Sequence, residues 1–188
     1  MKLYGAGNAI LYFRLKNDLS QLQVCEGICP EMTLSRIETG EREFDSLISE
    51  TLLSRVGKTP ARFEFVLNGE DYDLYKLRED IKNHIHQKNP ARAQRCLNEY
   101  ENIIPENQLL HRQFLLYHQA MVKKLEQRPS EEIMALLHQA IDMTRPDYKE
   151  KPKLMMLFSR MEVNIIYQLF LYENYSEDTL YSLLRLVS

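Results

Sequence analysis

Between Leu19 and Arg42 the chain has to start a helix, stop it, start another and stop again. Ser20 is a favoured N-cap residue, and Gln23 three positions later completes a capping box, in which each side chain satisfies the other residue's backbone amide. Gly27-Ile28-Cys29 then interrupts the helix with a tight turn. Pro30 stands in the first turn of the next helix, where its missing N–H is no loss, and Gly40 ends that helix. Helices this short are not stable alone and must pack on one another across the turn. Leu34 and Ile37, at i and i+3, form the apolar side of the second helix, and Leu22 with Cys25 or Val24 forms that of the first. Glu31, Met32, Thr33, Ser35 and Arg36 are left as the outward set of the second helix.

The same start and stop signals organise the rest of the chain. A preceding helix is expected over roughly Gly7 to Lys16, with Ile10, Phe13 and Leu15 as its buried stripe and Asn17-Asp18 breaking it. Asp45 or Ser46 caps a fourth helix that carries Leu47, Ile48, Leu52 and Leu53 to a stop at Gly57, and Thr59-Pro60 opens a fifth that closes at Asn68-Gly69. Beyond Glu70 the segments lengthen, to 71–88, 90–103, 106–126, 130–143, 153–174 and 177–187, and pair into three αα-hairpins. Their first helices start about 35 and then about 47 residues apart, looser than the tetratricopeptide period of about 34. Ala93, Leu97 and Pro105 fall on the small, large and closing-proline positions of such a repeat, and Ala140 and Pro146 echo its end. Tyr100, where a small residue is expected, and the absence of Trp depart from it. Six Gly and seven Pro lie between the periodic segments rather than inside them, so the expected fold is all-α. Residues 1–68 form a five-helix unit and residues 69–188 a stack of hairpins. At the end, Leu180, Leu183, Leu184 and Leu186 are apolar with no cap after them; such a face either pairs with a second subunit or is covered by chain beyond Ser188.

Composition narrows the function classes. The formal charge is −3, so the whole chain is not a polycation that holds nucleic acid by bulk attraction. No apolar run approaches the roughly 18 residues of a membrane span, and the N-terminus lacks a signal-peptide h-region and cleavage site. Three sparse cysteines suit a reducing compartment, which makes the cytoplasm the expected location. Cys25 and Cys29 have no His in the preceding or following sequence up to His84, so they read as small thiols rather than zinc ligands. His84, His86, His111, His118 and His138 all lie in the hairpin region. His111 and His118 are seven apart with no acid at ligand spacing between them, which favours packing or solvent over metal. There is no phosphate-binding glycine loop, nucleophile elbow or His-Glu-x-x-His, so neither an enzyme nor a cofactor is expected.

Two short helices crossing at a tight turn, the second presenting small polar side chains, meet the requirement of a helix-turn-helix that reads base edges in a major groove. Leu19-Ser20-Gln21, Leu34-Ser35-Arg36-Ile37-Glu38 and Gly40 resemble the pattern of the Xre/Cro-repressor family. The turn Glu26-Gly27-Ile28-Cys29 and the long hairpins that follow are similar to the Rgg/PlcR-type (RRNPP) regulators, in which such a domain precedes a tetratricopeptide-like array that binds a short signalling peptide. The resemblance implies a lambda-repressor-like DNA-binding domain, a homodimer on DNA and transcriptional regulation by a peptide or protein ligand. It places Gln21 against the DNA backbone and Arg14 at a position that commonly meets phosphate. Thr33, Ser35 and Arg36 fall on the recognition helix, with Thr33 or Arg36 as the one to reach a base edge or phosphate. Glu38 matches a position that ties the helix to its surroundings. Pro30-Glu31 replaces the small or amide residues usual at the helix start; Glu31 can accept from cytosine N4 and otherwise repels phosphate. Leu11 stands where a second basic residue is frequent.

Over residues 1–65 eight cations face nine anions, so affinity for DNA has to come from two half-sites engaged by a dimer. In the apolar third hairpin, Asn164 is the side chain able both to donate to and to accept from a peptide backbone, which makes it the candidate ligand contact. The competing reading is a helical protein- or peptide-binding scaffold whose acidic helix-turn-helix no longer holds DNA.

Overall fold

Local capping sets most of the helix ends, and tertiary burial decides which faces turn inward. The computed structural model describes residues 5–58, 69–104, 108–148 and 157–173. Among the described residues there are nine α-helices and no strand: α1 (Ala6–Lys16), α2 (Gln21–Cys25), α3 (Glu31–Thr39), α4 (Ser46–Arg55), α5 (Gly69–His86), α6 (Pro90–Ile103), α7 (Leu109–Leu125), α8 (Ser130–Asp142) and α9 (Arg160–Tyr172). The helices expected at 59–68 and 177–187, Pro105 and the apolar C-terminal end fall outside the described residues.

The Ser20 capping box forms, with the Gln23 amide donating to Ser20 Oγ at 3.2 Å and the Ser20 amide donating to Gln23 Oε1 at 2.8 Å. Pro30 is the N-cap of α3 rather than a first-turn residue, and Gly40 ends α3 in the left-handed conformation. Asp45 caps α4 by accepting from the Ile48 amide at 2.8 Å. A second capping box, Ser159 with Glu162, starts α9. The α5–α6 and α7–α8 connections repeat one device. Each passes through a left-handed non-glycine residue, Lys88 or Gln127, and the next amide reaches back to a helix carbonyl, Asn89 to His84 and Arg128 to Lys123.

Three apolar clusters hold the chain together. The first joins α1 to α4 through residues that include Ile10, Val24, Leu34, Ile37 and Leu52. The second runs from α4 through α7 and the third from α7 through α9. Two expected core residues are corrected: Leu15 and Leu22 are exposed. Arg14 takes the inward place beside Leu15 on α1, and in the five-residue α2 only the last two residues, Val24 and Cys25, are covered. Tyr100 is fully buried, and its hydroxyl is hydrogen-bonded with His111 Nδ1 at 2.5 Å. That directs His111 Nε2 towards Asp45 at 3.4 Å, so a polar chain joins the array to the cap of α4. His118 is buried against the Phe114 carbonyl; burial pushes it down to about 3 and keeps it neutral.

Candidate nucleic-acid interface

The second helix of the α2–turn–α3 unit turns its inner face, Leu34 and Ile37, into the first core cluster. Its other side is open. Glu31, Met32 and Arg36 are exposed, Met32 to 68%, while Thr33 and Ser35 are half-buried. Arg42, just past the Gly40 stop, folds back over the helix and donates to Thr33 Oγ1 at 3.4 Å. Sequence reasoning did not single out Arg42; a cation two residues after a glycine C-cap was the signal available.

The structure brings Arg14 and Gln21 together on Glu38. Arg14 is only 8% exposed, and its guanidinium forks onto Glu38 at 2.6 and 2.8 Å while also donating to the Leu19 carbonyl at 2.9 Å. Three of its five N–H donors are thus used inside the unit. The hydrogen bond to Glu38 holds its pKa above the ordinary arginine value. The Gln21 amide donates to the same carboxylate at 2.8 Å, so it braces α2 against α3 instead of lying free on the surface. Glu38, 2% exposed, is thus the post to which α1 and α2 are both tied.

The turn is fixed from behind. Gly27 has φ +73°, and a Cβ there would lie 1.9 Å from the Thr144 carbonyl oxygen, so only glycine lets the turn seat against the end of α8. Arg55 of α4 donates from Nη1 to the carbonyls of Val24 at 3.0 Å and Glu26 at 2.5 Å, which takes up acceptors at the C-terminal end of α2. Its Nη2 pairs with Glu162 of α9 at 2.6 Å, with both side chains fully buried.

Asn164 lies on the exposed face of α9 with Tyr167 and Leu171, while Ile165, Ile166 and Leu169 face the core. It is accessible to a partner but does not line an apolar inner wall. Cys25 is buried, and its thiol is pushed up to about 11, chiefly by desolvation, so it stays protonated. Among the described residues no three His, Cys, Asp or Glu gather as metal ligands, and no helix is long and apolar enough to cross a membrane. No family model, curated protein or solved structure matches the chain.

Proposed function

We propose that this chain is a sequence-specific DNA-binding transcriptional regulator. The α2–turn–α3 unit acts as the helix-turn-helix of a lambda-repressor-like domain, and α5 onward forms a tetratricopeptide-like ligand domain. The observation that carries the reading is the contrast between the two sides of α3. Behind it, Glu38, Gln21, Arg14 and the seated Gly27 turn fix the helix in place. In front, Glu31, Met32 and Arg36 stay uncovered with Thr33 and Ser35 beside them, a set able to donate to and accept from base edges. A rigid mount behind an open polar face is what base reading requires. The active species in this reading is a homodimer spanning two half-sites, and a short peptide held along α9, with Asn164 among its contacts, is the proposed effector.

The test is a salt-titrated gel shift on the region upstream of the protein's own reading frame, with Arg36→Ala alongside. Sequence-selective binding that weakens with salt is expected, and Arg36→Ala should lower affinity by about 1–3 kcal/mol while leaving the melting temperature unchanged. No selective shift at low salt would overturn the proposal. The scaffold reading would then stand, and it has support of its own: Glu31, Glu41 and Glu43 are exposed around α3 and oppose phosphate.

A further inference from the structure

We infer that Glu162, at the start of α9, is the positioning residue through which the hairpin array sets the placement of the α2–turn–α3 unit. The inference rests on the DNA-binding reading for its functional consequence, and on geometry for the coupling itself.

Glu162 is fully buried, yet it gathers groups from three separate parts of the chain. Its Oε1 accepts from Arg55 Nη2 at 2.6 Å and from the Thr144 hydroxyl at 2.7 Å, while Arg145 Nε stands 3.6 Å away. Its Oε2 accepts from the Ser159 amide at 2.6 Å, which closes the capping box of its own helix. Arg55, Arg145 and Thr144 each lead back to the turn. Arg55 holds the Val24 and Glu26 carbonyls, and Arg145 pairs through Nη1 with the Glu26 carboxylate at 2.7 Å. Thr144 is the residue whose carbonyl meets Gly27.

Burying these charges is costly unless each is paired in a narrow geometry. The carboxylate therefore defines where two guanidiniums sit, and the guanidiniums define where the end of α2 sits. Desolvation alone would push the Glu162 carboxyl up; Arg55 and Arg145 hold it below the usual range, so it stays charged. A shift of α9 along its axis carries the carboxylate with it, and the network transmits the shift to the turn. An apolar contact would let the same surfaces slide.

The experiment uses the full chain with Glu162→Gln, which keeps the side-chain shape and an oxygen for the Ser159 amide. Hydrogen exchange is followed at the amides of residues 26–29 and, as an internal reference, at those of Leu34 and Ile37. Binding is measured on the upstream duplex and on the same duplex lengthened by one base pair between half-sites. The expected result is exchange at the turn faster by about tenfold with little change at the reference amides, together with a loss of affinity of about tenfold for the natural spacing and less for the lengthened one; this magnitude is typical of coupling between sites. A purely structural role predicts equal loss of protection everywhere and unchanged spacing preference, and either overturns the inference. If Glu162→Gln does not fold, Thr144→Val decides by the same criteria, because it removes one bond to the carboxylate and keeps the volume. If the wild type binds no duplex selectively, the DNA-binding reading falls, and the exchange measurement judges the coupling alone.

Discussion

Replacing Arg14 with methionine separates a structural arginine from a phosphate contact. The guanidinium makes two bonds to Glu38, at 2.6 and 2.8 Å, and one to the Leu19 carbonyl at 2.9 Å. Methionine refills much of the volume of the arginine stem but leaves the Glu38 carboxylate buried, with the Gln21 amide as its remaining charge-stabilising donor from this network. Breaking a buried ion pair by removing one partner costs about 3–5 kcal/mol. The retained Gln21 bond offsets about 1 kcal/mol of that, which leaves a loss of about 3 kcal/mol. For a chain of this length each kcal/mol shifts the melting temperature by about 2–4 °C, so the expected fall is roughly 6–12 °C by circular dichroism. The double variant Arg14→Met with Glu38→Gln should recover most of it, because no orphaned charge is left behind. A fall below about 2 °C, combined with a loss of DNA affinity for the folded variant, would refute the reasoning and return Arg14 to the DNA surface.

Two further outcomes follow from the buried carboxylates and the seated turn. Glu162 is held down by Arg55 and Arg145 against desolvation, and Asp45 is held down by His111 and the Ile48 amide against desolvation. A carboxylate with a depressed folded pKa adds stability that is complete above its unfolded value and is lost as pH falls through the folded one. The urea midpoint should therefore start to fall below about pH 6.5, where the unfolded chain protonates His118 while the buried imidazole stays neutral, and fall more steeply below about pH 4.5 as these carboxylates titrate; Glu162→Gln should shallow the limb below about pH 4.5, and an unchanged limb there would remove Glu162 from the account. Gly40 and Gly27 both have positive φ, but a Cβ at Gly40 meets open space whereas one at Gly27 meets the Thr144 carbonyl oxygen. Alanine at Gly40 should cost about 1–2 kcal/mol for the backbone alone, and alanine at Gly27 clearly more by urea titration. Equal costs would mean the turn is not seated on the array.

The sequence announced its local structure well and its long-range charge pairing not at all. Capping is a relation between residues three apart, so Ser20 with Gln23, Asp45 before Ile48 and Gly40 after α3 could all be read directly. Leu34, Ile37, Leu52 and Leu53 were legible because helical spacing reports a buried face. The same logic counts arginine as solvent-facing, and there it failed. Arg14 finds its carboxylate 24 residues on, Arg55 finds Glu162 at 107, and Arg145 finds Glu26 at a separation of 119. No pattern in a local window encodes such partners. The partner of Tyr100 was equally hidden from a local window, since its hydroxyl bonds His111 on the next helix.

The charge balance of the first four helices takes on a different meaning once burial is known. Arg14 and Glu38 cancel internally, Arg55 is held by Glu162, and Glu26 holds Arg145, so these charges are taken up within the molecule. The exposed charges that remain are Lys16, Arg36 and Arg42 against Asp18, Glu31, Glu41 and Glu43. Their placement matters more than their sum. Glu31 lies in the first turn of α3 and Arg36 in its last turn, the arrangement that complements the helix dipole and stabilises the helix. A phosphate would otherwise favour that positive N-terminal end, and Glu31 opposes it there. In the proposed complex the phosphate contacts at α3 and the turn after it therefore fall to Arg36 and Arg42, about two per half-site. Counterion release from these two contacts alone contributes a salt slope of about −2 per half-site and about −4 for a dimer. Such a shallow slope leaves little non-specific affinity, so residence on DNA depends on both half-sites being engaged together at high effective concentration. In the proposed complex the features that stabilise α3 as a helix thus weaken it as a solitary DNA ligand, and dimerisation would be the compensating step.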